Sequence, residues 1–179
     1  MSVPPLLSPY FCGSPSGSLT LLTSTLGAST NWVILRFLYI VLQSLRPDGH
    51  EAKDLAAGET RIVLVSWLRD AKFWREGGRK IHVHTTLLTA CADTPFTQSQ
   101  GKGTPLEISQ SAFVMSMAHQ ARTVFSLRGL DTGVARDISG VLRISRGGAC
   151  EEDDEEVEER EFLYFVGGDG GASVIERGA

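Results

Sequence analysis

The stretch Gly17–Leu45, GSLTLLTSTLGASTNWVILRFLYIVLQSL, decides the fold class of this 179-residue chain. It starts with a β-type apolar run at Leu19–Thr23 and continues through a turn of small residues. A long helical run follows from about Asn31 and ends before Pro47. Strand, turn and helix in this order are the layout of a phosphate-binding loop. Together with a second β-then-α unit that begins at Arg61–Trp67, this layout predicts an α/β domain.

The turn itself lacks the charge of a working phosphate loop. In GxxxxGK[ST], backbone amides cradle the phosphates, the lysine neutralises them and the hydroxyl holds magnesium. Laid over Gly27, Ala28 and Ser29, this template has alanine at the lysine position and Leu22 at the first glycine. We therefore interpret Gly27, Ala28, Ser29 and Thr30 as a degenerate phosphate loop, and we expect no cofactor, no metal ion and no catalytic residue.

Further strand and helix patterns follow this first unit. RIVLVSW at Arg61–Trp67 is typical of a buried parallel strand, and Asp70 can cap a helix after it. His84–Asp93 is another strand candidate, and Pro105 opens a further helix. One face of that helix carries Ile108, Ala112, Met115 and His119. We interpret His119 as a packed or capping residue rather than a metal ligand, because no second ligand lies four residues on.

From Arg122 onwards the pattern changes to short β-type runs separated by turns. The glycine-rich sequence around Asp169, GGDGG, predicts a tight hairpin. The whole chain, 1–179, is expected to form one domain, a mostly parallel sheet with flanking helices and an antiparallel C-terminal hairpin extension. Residues 1–17 are expected to be irregular, and residues 149–160 to form an acidic loop.

Composition and charge exclude several classes of protein. With 42% apolar and 21% charged residues, the chain is neither disordered nor fibrous. Its three cysteines, which are far apart and form no CxxC, argue against a zinc site or a disulfide framework and for a reducing compartment. The most apolar segment, Trp32–Leu42, contains Arg36 and is shorter than the roughly 20 residues of a membrane span. We expect a cytoplasmic protein that is also compatible with the nucleus.

The formal charge of −4 is unevenly distributed. Glu151–Glu161 carries nine acids and one arginine, which leaves about +4 for the rest of the chain. Such an acidic run is usually a solvated loop. A mildly basic body is compatible with an RNA partner.

Four stretches of the chain resemble the fungal form of Elongator complex protein 6. They are SLTLLTSTLGASTNWVILRFLY, RIVLVSWLRDAKFWREGGRK, TPLEISQSAFVMSMAHQARTVFSLRGLDTGVARDISGVLRISRGG and EFLYFVGGDGGASVIERG. The most specific motif among them is LDTGVARDISGVLRISRGG. Together they cover most of the chain, except the N-terminus, the Pro47–Thr60 connection and the acidic loop.

The resemblance implies a RecA-like fold, of the P-loop NTPase type, that has lost its catalytic motifs. It also implies a heterohexameric ring with the fourth and fifth Elongator subunits, which binds tRNA and supports wobble-uridine modification by the rest of the complex. By this resemblance the chain is not an enzyme. The alternatives are a RecA-like NTPase that binds phosphate through backbone amides and the helix dipole alone, and a soluble scaffold unrelated to tRNA.

One connection is shorter than the family pattern. In the family, a helix end, the strand of the second ATPase motif and more helix lie between the FWREGGRK helix and the strand that matches TTLLTACAD. Here RKIHVHTT joins the two almost directly, near Ile81–Thr85. A sheet without this central segment is one outcome that the sequence allows.

Basic residues on the loops after the strands are the candidates for RNA contact, because these loops form the central surface of RecA-like rings. The candidates are Lys102, Arg122, Arg128 and Arg136. Each could instead pair across a subunit interface or remain a solvated charge. Large apolar side chains near helix ends are expected to add exposed surface for ring partners. They are Trp32, Phe37, Phe73 and Trp74.

Overall fold

The computed structural model describes residues 3–11, 17–44, 85–93, 103–130, 133, 135–150 and 157–176. The predicted strand at 61–67, the helix after it and residues 81–84 of the short junction lie outside these ranges. Lys102, Phe73 and Trp74 also lie outside them.

The described strands form a single six-stranded sheet. They are β1 (Ser18–Ser24), β2 (Thr85–Cys91), β3 (Thr123–Arg128), β4 (Gly140–Arg146), β5 (Arg160–Val166) and β6 (Ala172–Glu176). Their order in the sheet is β2-β1-β3-β4-β5-β6. β1 pairs in parallel with β2 and β3, and antiparallel ladders join β3 to β4, β4 to β5 and β5 to β6.

The predicted α/β class is confirmed, but the described sheet is mixed rather than mostly parallel. Its antiparallel half begins between β3 and β4 and is larger than a hairpin extension. Residues 129–139 between these strands are too few for a crossover helix, which takes about a dozen residues or more, so β4 returns beside β3 in the opposite direction. The predicted GGDGG hairpin is confirmed between β5 and β6, with Gly170 at φ +78°.

The described helices are α1 (Ser8–Phe11), α2 (Asn31–Ser44) and α3 (Pro105–Gln120). α2 begins at the predicted residue. α3 begins at Pro105 in a capping box, in which the Glu107 N–H donates to Thr104 Oγ1 and the Thr104 N–H donates to Glu107 Oε2. None of the helices in the described ranges combines the length and the apolarity needed to cross a membrane.

The main core lies between the sheet and α2. Its fully buried side chains include Phe125, Leu142, Ile144 and Phe162. Trp32 and Phe37 belong to this core at 4% and 9% exposure, so the expectation that they form exposed partner surface is wrong. They are buried because the apolar face of α2 packs onto the strands.

The N-terminal segment closes one side of this core. It was expected to be irregular, but Pro5–Leu7 form a 3-10 turn and Ser8–Phe11 form α1. The Phe11 ring lies 4.3 Å from that of Phe37 and 5.9 Å from that of Phe125, measured between centroids. The segment takes up helical turns because these aromatic contacts bury Phe11.

A second, smaller core lies on the other face of the sheet. α3 covers Leu21 and Val124 there through Met117 and Ala118. The face of α3 that carries Ile108, Ala112, Met115 and His119 is exposed. His119 is therefore not packed, and it lies in the last turn of α3.

Candidate functional site

The carboxyl ends of β1, β2 and β3 meet at one side of the sheet, which we call the carboxyl edge. The degenerate loop 25–30, residues 92–93 and the loop 129–139 follow these strands, and α2 begins at the same edge. In open α/β sheets, ligands bind in the crevice outside the carboxyl ends of the strands. The carboxyl edge is therefore the candidate site.

The degenerate loop forms a tight turn. The Thr25 N–H donates to Leu127 O and the Ala28 N–H donates to Thr25 O, each at 3.0 Å. Gly27 has φ +88°, a conformation that favours glycine. Ala28, at the template position of the lysine, is 7% exposed and lies in the main core. This position therefore contributes apolar packing instead of a cation.

In the first turn of α2, the backbone N–H groups donate hydrogen bonds to residues next to them in the sequence. The Val33 and Ile34 N–H groups donate to Thr30 O at 3.0 and 3.1 Å. Ser29, at the template position of the magnesium-binding hydroxyl, accepts a 3.3 Å hydrogen bond from the Asn31 N–H through Oγ. The Ser29 hydroxyl thus serves the helix start.

A carboxylate from the neighbouring strand end occupies the loop, and sequence reasoning missed it. Asp93 Oδ1 accepts a 2.6 Å hydrogen bond from the Leu26 N–H, and Asp93 Oδ2 accepts from Cys91 Sγ at 3.0 Å. The pKa of Asp93 is lowered, mainly by the hydrogen bond from the Cys91 thiol and then by the one from the Leu26 amide. The pKa of the Cys91 thiol is raised, mainly by burial and then by its hydrogen bond to Asp93. The Asp93 carboxylate of the chain itself thus accepts the hydrogen bond of a backbone amide in the loop.

A cleft of about 360 Å³ opens beside this carboxylate. Its lining residues are Ser24, Thr30, Thr89, Ala90, Cys91, Gln110 and Phe113. Among these described lining residues, five carry a hydroxyl, amide or thiol group, and none is basic. Such a lining suits neutral polar groups better than a triphosphate, which needs cations.

The structure separates the candidates for RNA contact. Arg128 ends β3 at the carboxyl edge, where its Nη2 lies 3.5 Å from Glu161 Oε1. Arg136 is exposed on the following loop at the same edge. Arg122 precedes β3 at the opposite edge and is half-buried, its N–H bonded to Leu19 O. The carboxyl edge therefore brings together Arg128 and Arg136 but not Arg122.

No family model and no curated protein matches this chain. Within the described ranges, no three histidine, cysteine or acidic side chains gather into a group that could hold a metal ion.

Proposed function

We propose that this chain is a non-catalytic, RecA-like subunit of the Elongator accessory ring. The observation that carries the non-catalytic part is the Asp93 carboxylate on the Leu26 amide of the degenerate loop. The resemblance of the four quoted stretches supports the rest: a heterohexameric ring with the fourth and fifth Elongator subunits, tRNA as the ligand of the assembled ring, and a role in wobble-uridine modification in the cytoplasm or nucleus.

The charge on the loop argues against nucleotide hydrolysis. A phosphate bound there would lie near the negative charge of Asp93, which would repel it. The lysine that would offset this repulsion is replaced by the buried Ala28. The competing proposal, an NTPase that relies on backbone amides alone, lacks a group to neutralise charge on a transferred phosphoryl group.

An assay of nucleotide hydrolysis tests the non-catalytic part. The chain, alone or assembled with its ring partners, should show no turnover that depends on the degenerate loop. Gly27→Trp is the matched variant, because its large side chain would block the loop where Gly27 adopts φ +88°. Hydrolysis that disappears in Gly27→Trp would contradict the proposal.

The RNA part predicts phosphate contacts from the carboxyl edge. Arg136 is the clearest candidate there, because Arg128 also pairs with Glu161. Lys102 is added from the sequence alone. Contacts of this kind hold the phosphate backbone and carry little base specificity, so different tRNAs should bind similarly and affinity should fall steeply with salt.

The test replaces Lys102, Arg128 and Arg136 together by glutamine in the assembled ring. We expect weaker binding by a similar factor for different tRNAs, and a salt slope reduced by about one for each lost contact. Arg122→Gln is the control, because this residue lies at the opposite edge. Gel filtration checks that the ring is intact. An intact ring with unchanged affinity and slope would overturn the assignment.

A further inference from the structure

Two buried side chains of α2 have hydrogen-bond donors without an acceptor among the described residues. Arg36, in the second turn of α2, is 2% exposed, and its Nη2 donates to Gly170 O at 3.3 Å. Its Nε and Nη1 have no hydrogen-bond partner among the described residues. Trp32, one turn earlier, is 4% exposed, and its Nε1 is also without a partner in the described part of the chain.

The chemistry of these donors defines what is missing. A guanidinium and an indole N–H donate hydrogen bonds and accept none, so their partner must be an acceptor. A buried guanidinium also needs a negative charge, because an unpaired buried cation is strongly destabilising. A group with several acceptor oxygens and a negative charge meets both needs. Carboxylates and phosphates are the oxyanions that arginine binds in this way.

The side chains that carry these donors lie against β5 and the turn that follows it. The Trp32 ring lies 5.2 Å from that of Tyr164, between centroids, and Arg36 reaches Gly170 in the turn at 167–171. Because β5 runs in the same direction as β1, this turn lies at the carboxyl edge. It is three strands away from β1, and the donors share no residue with the lining of the cleft.

The described acids near this place serve other groups. Asp169 in the turn is exposed, and its Oδ1 accepts from the Gly171 N–H at 2.9 Å. Glu158 and Glu159, the described acids just before β5, lie at the opposite edge, where they accept hydrogen bonds from Arg160 and from the Arg146 N–H. The seven residues of β5 separate the two edges by about 20 Å.

We propose that Arg36 and Trp32 bind an oxyanion, a phosphate or a carboxylate, between α2 and the β5–β6 turn. This inference does not depend on the proposed function. Ion pairing of Arg160 with Glu176 ties β6 to β5 at the far end of the hairpin, whereas the tip is held to α2 by the 3.3 Å contact of Arg36 with Gly170. β6 is the outermost described strand on that side of the sheet, and Val166 and Ala172, which flank the turn, pack against the main core.

The indole N–H signal of Trp32 in an NMR spectrum of the full chain tests the proposal. Phosphate and acetate are titrated separately at constant ionic strength, balanced with chloride. We expect a saturable shift of this signal with at least one of them, and the anion that binds more tightly distinguishes a phosphate from a carboxylate source. At 100 times its Kd the bound anion should also raise the Tm by about 5–10 °C.

Three arginine variants decide the outcome. Arg36→Met should abolish the shift, and Arg143→Met, which changes an exposed arginine of β4, should retain it. If Arg36→Met does not fold, Arg36→Lys serves instead, because it keeps the charge but loses the planar fork, and affinity should fall at least tenfold. The absence of a saturable shift with both anions would overturn the proposal, as would equal shifts in wild type and the Arg36 variants.

Discussion

Gly147 is the position where the fold depends most directly on the absence of a side chain. A Cβ added there would lie 1.9 Å from Ala121 O and 3.0 Å from Ala118 O, both backbone atoms at the end of α3. The close approach supports three hydrogen bonds, from Gly147 N–H to Arg122 O, from Gly148 N–H to Ala118 O and from Ala149 N–H to Ala121 O, at 2.9 to 3.0 Å. Gly147 directly follows β4, in the segment ISRGG.

The magnitude follows from this geometry. Relieving the contact needs a movement of at least about 1.1 Å, which would stretch these hydrogen bonds to about 4 Å, beyond bonding range. At about 1 kcal/mol each, losing two or three of them lowers the free energy of unfolding by about 2–3 kcal/mol. For a chain of this length, the Tm of Gly147→Ala should fall by about 4–12 °C.

Thermal and urea unfolding of Gly147→Ala measure this loss. Gly168→Ala is the matched control, because its Cβ would meet nothing within 4 Å and its φ is not positive. We expect the control to be neutral or slightly stabilised, since alanine restricts the unfolded chain. If Gly147→Ala unfolds within 0.5 kcal/mol of Gly168→Ala, on the order of ordinary surface substitutions, the backbone contact does not require glycine and the reasoning fails.

Further outcomes follow from the N-terminal segment and from Asp93. Phe11→Ala should lower the free energy of unfolding, measured in urea, by about 3–5 kcal/mol. Leu6→Ala should lower it clearly less, because the Leu6 side chain is already 36% exposed, and equal losses would contradict the aromatic packing of Phe11. Because the pKa of Asp93 is lowered, its hydrogen bond to Leu26 stabilises the fold fully above pH 3.8, the ordinary pKa of an aspartate, and is lost as the pH falls through the lower folded-state pKa. The NMR signal of the Leu26 amide proton should therefore titrate with a midpoint below pH 3.8. Asp93→Asn should speed the alkylation of Cys91 at pH 8 by iodoacetamide, because it removes a negative charge that raises the thiol pKa, while Cys150 in the same chain reacts unchanged.

The local elements of the fold were predictable because short-range chemistry specifies them. The strand at Ser18–Ser24 and the start of α2 at Asn31 follow from an apolar run, a glycine turn and a helical run. Pro105 and the GGDGG turn likewise mark a helix start and a hairpin through their own backbone preferences. The direction of β4 was less readable, because it depends on how residues 129–139 return to the sheet. The Phe11 contacts were not readable for a similar reason, since they join aromatic rings far apart in the sequence.

The contact of Asp93 with the loop could not be predicted for the same reason, because it joins residues that are far apart in the sequence. Read in sequence, Asp93 is a turn residue after a strand, and the loop that it touches lies 67 residues earlier. The link appears only because β1 and β2 are parallel neighbours with Ser24 opposite Cys91, which brings the residue after each strand to the same edge. The carboxylate that occupies the loop amide, where a phosphate would bind, therefore comes from just after the strand next to the loop rather than from within the loop.

Arg36 is the opposite case, because the sequence predicts that this arginine is buried but does not identify the group that pairs with it. Trp32, Val33, Phe37 and Ile40 recur at helical spacing and define the core face of α2, and position 36 falls within that face. An arginine at a core position is therefore readable from the pattern alone, as a cation that burial would leave without water. The pattern cannot say what neutralises it, because the nearest described acceptor, Gly170 O, lies 134 residues away and satisfies only one of the three guanidinium nitrogens. The oxyanion proposed above would account for both facts, since it would neutralise the buried arginine and accept hydrogen bonds from the two nitrogens without a described partner.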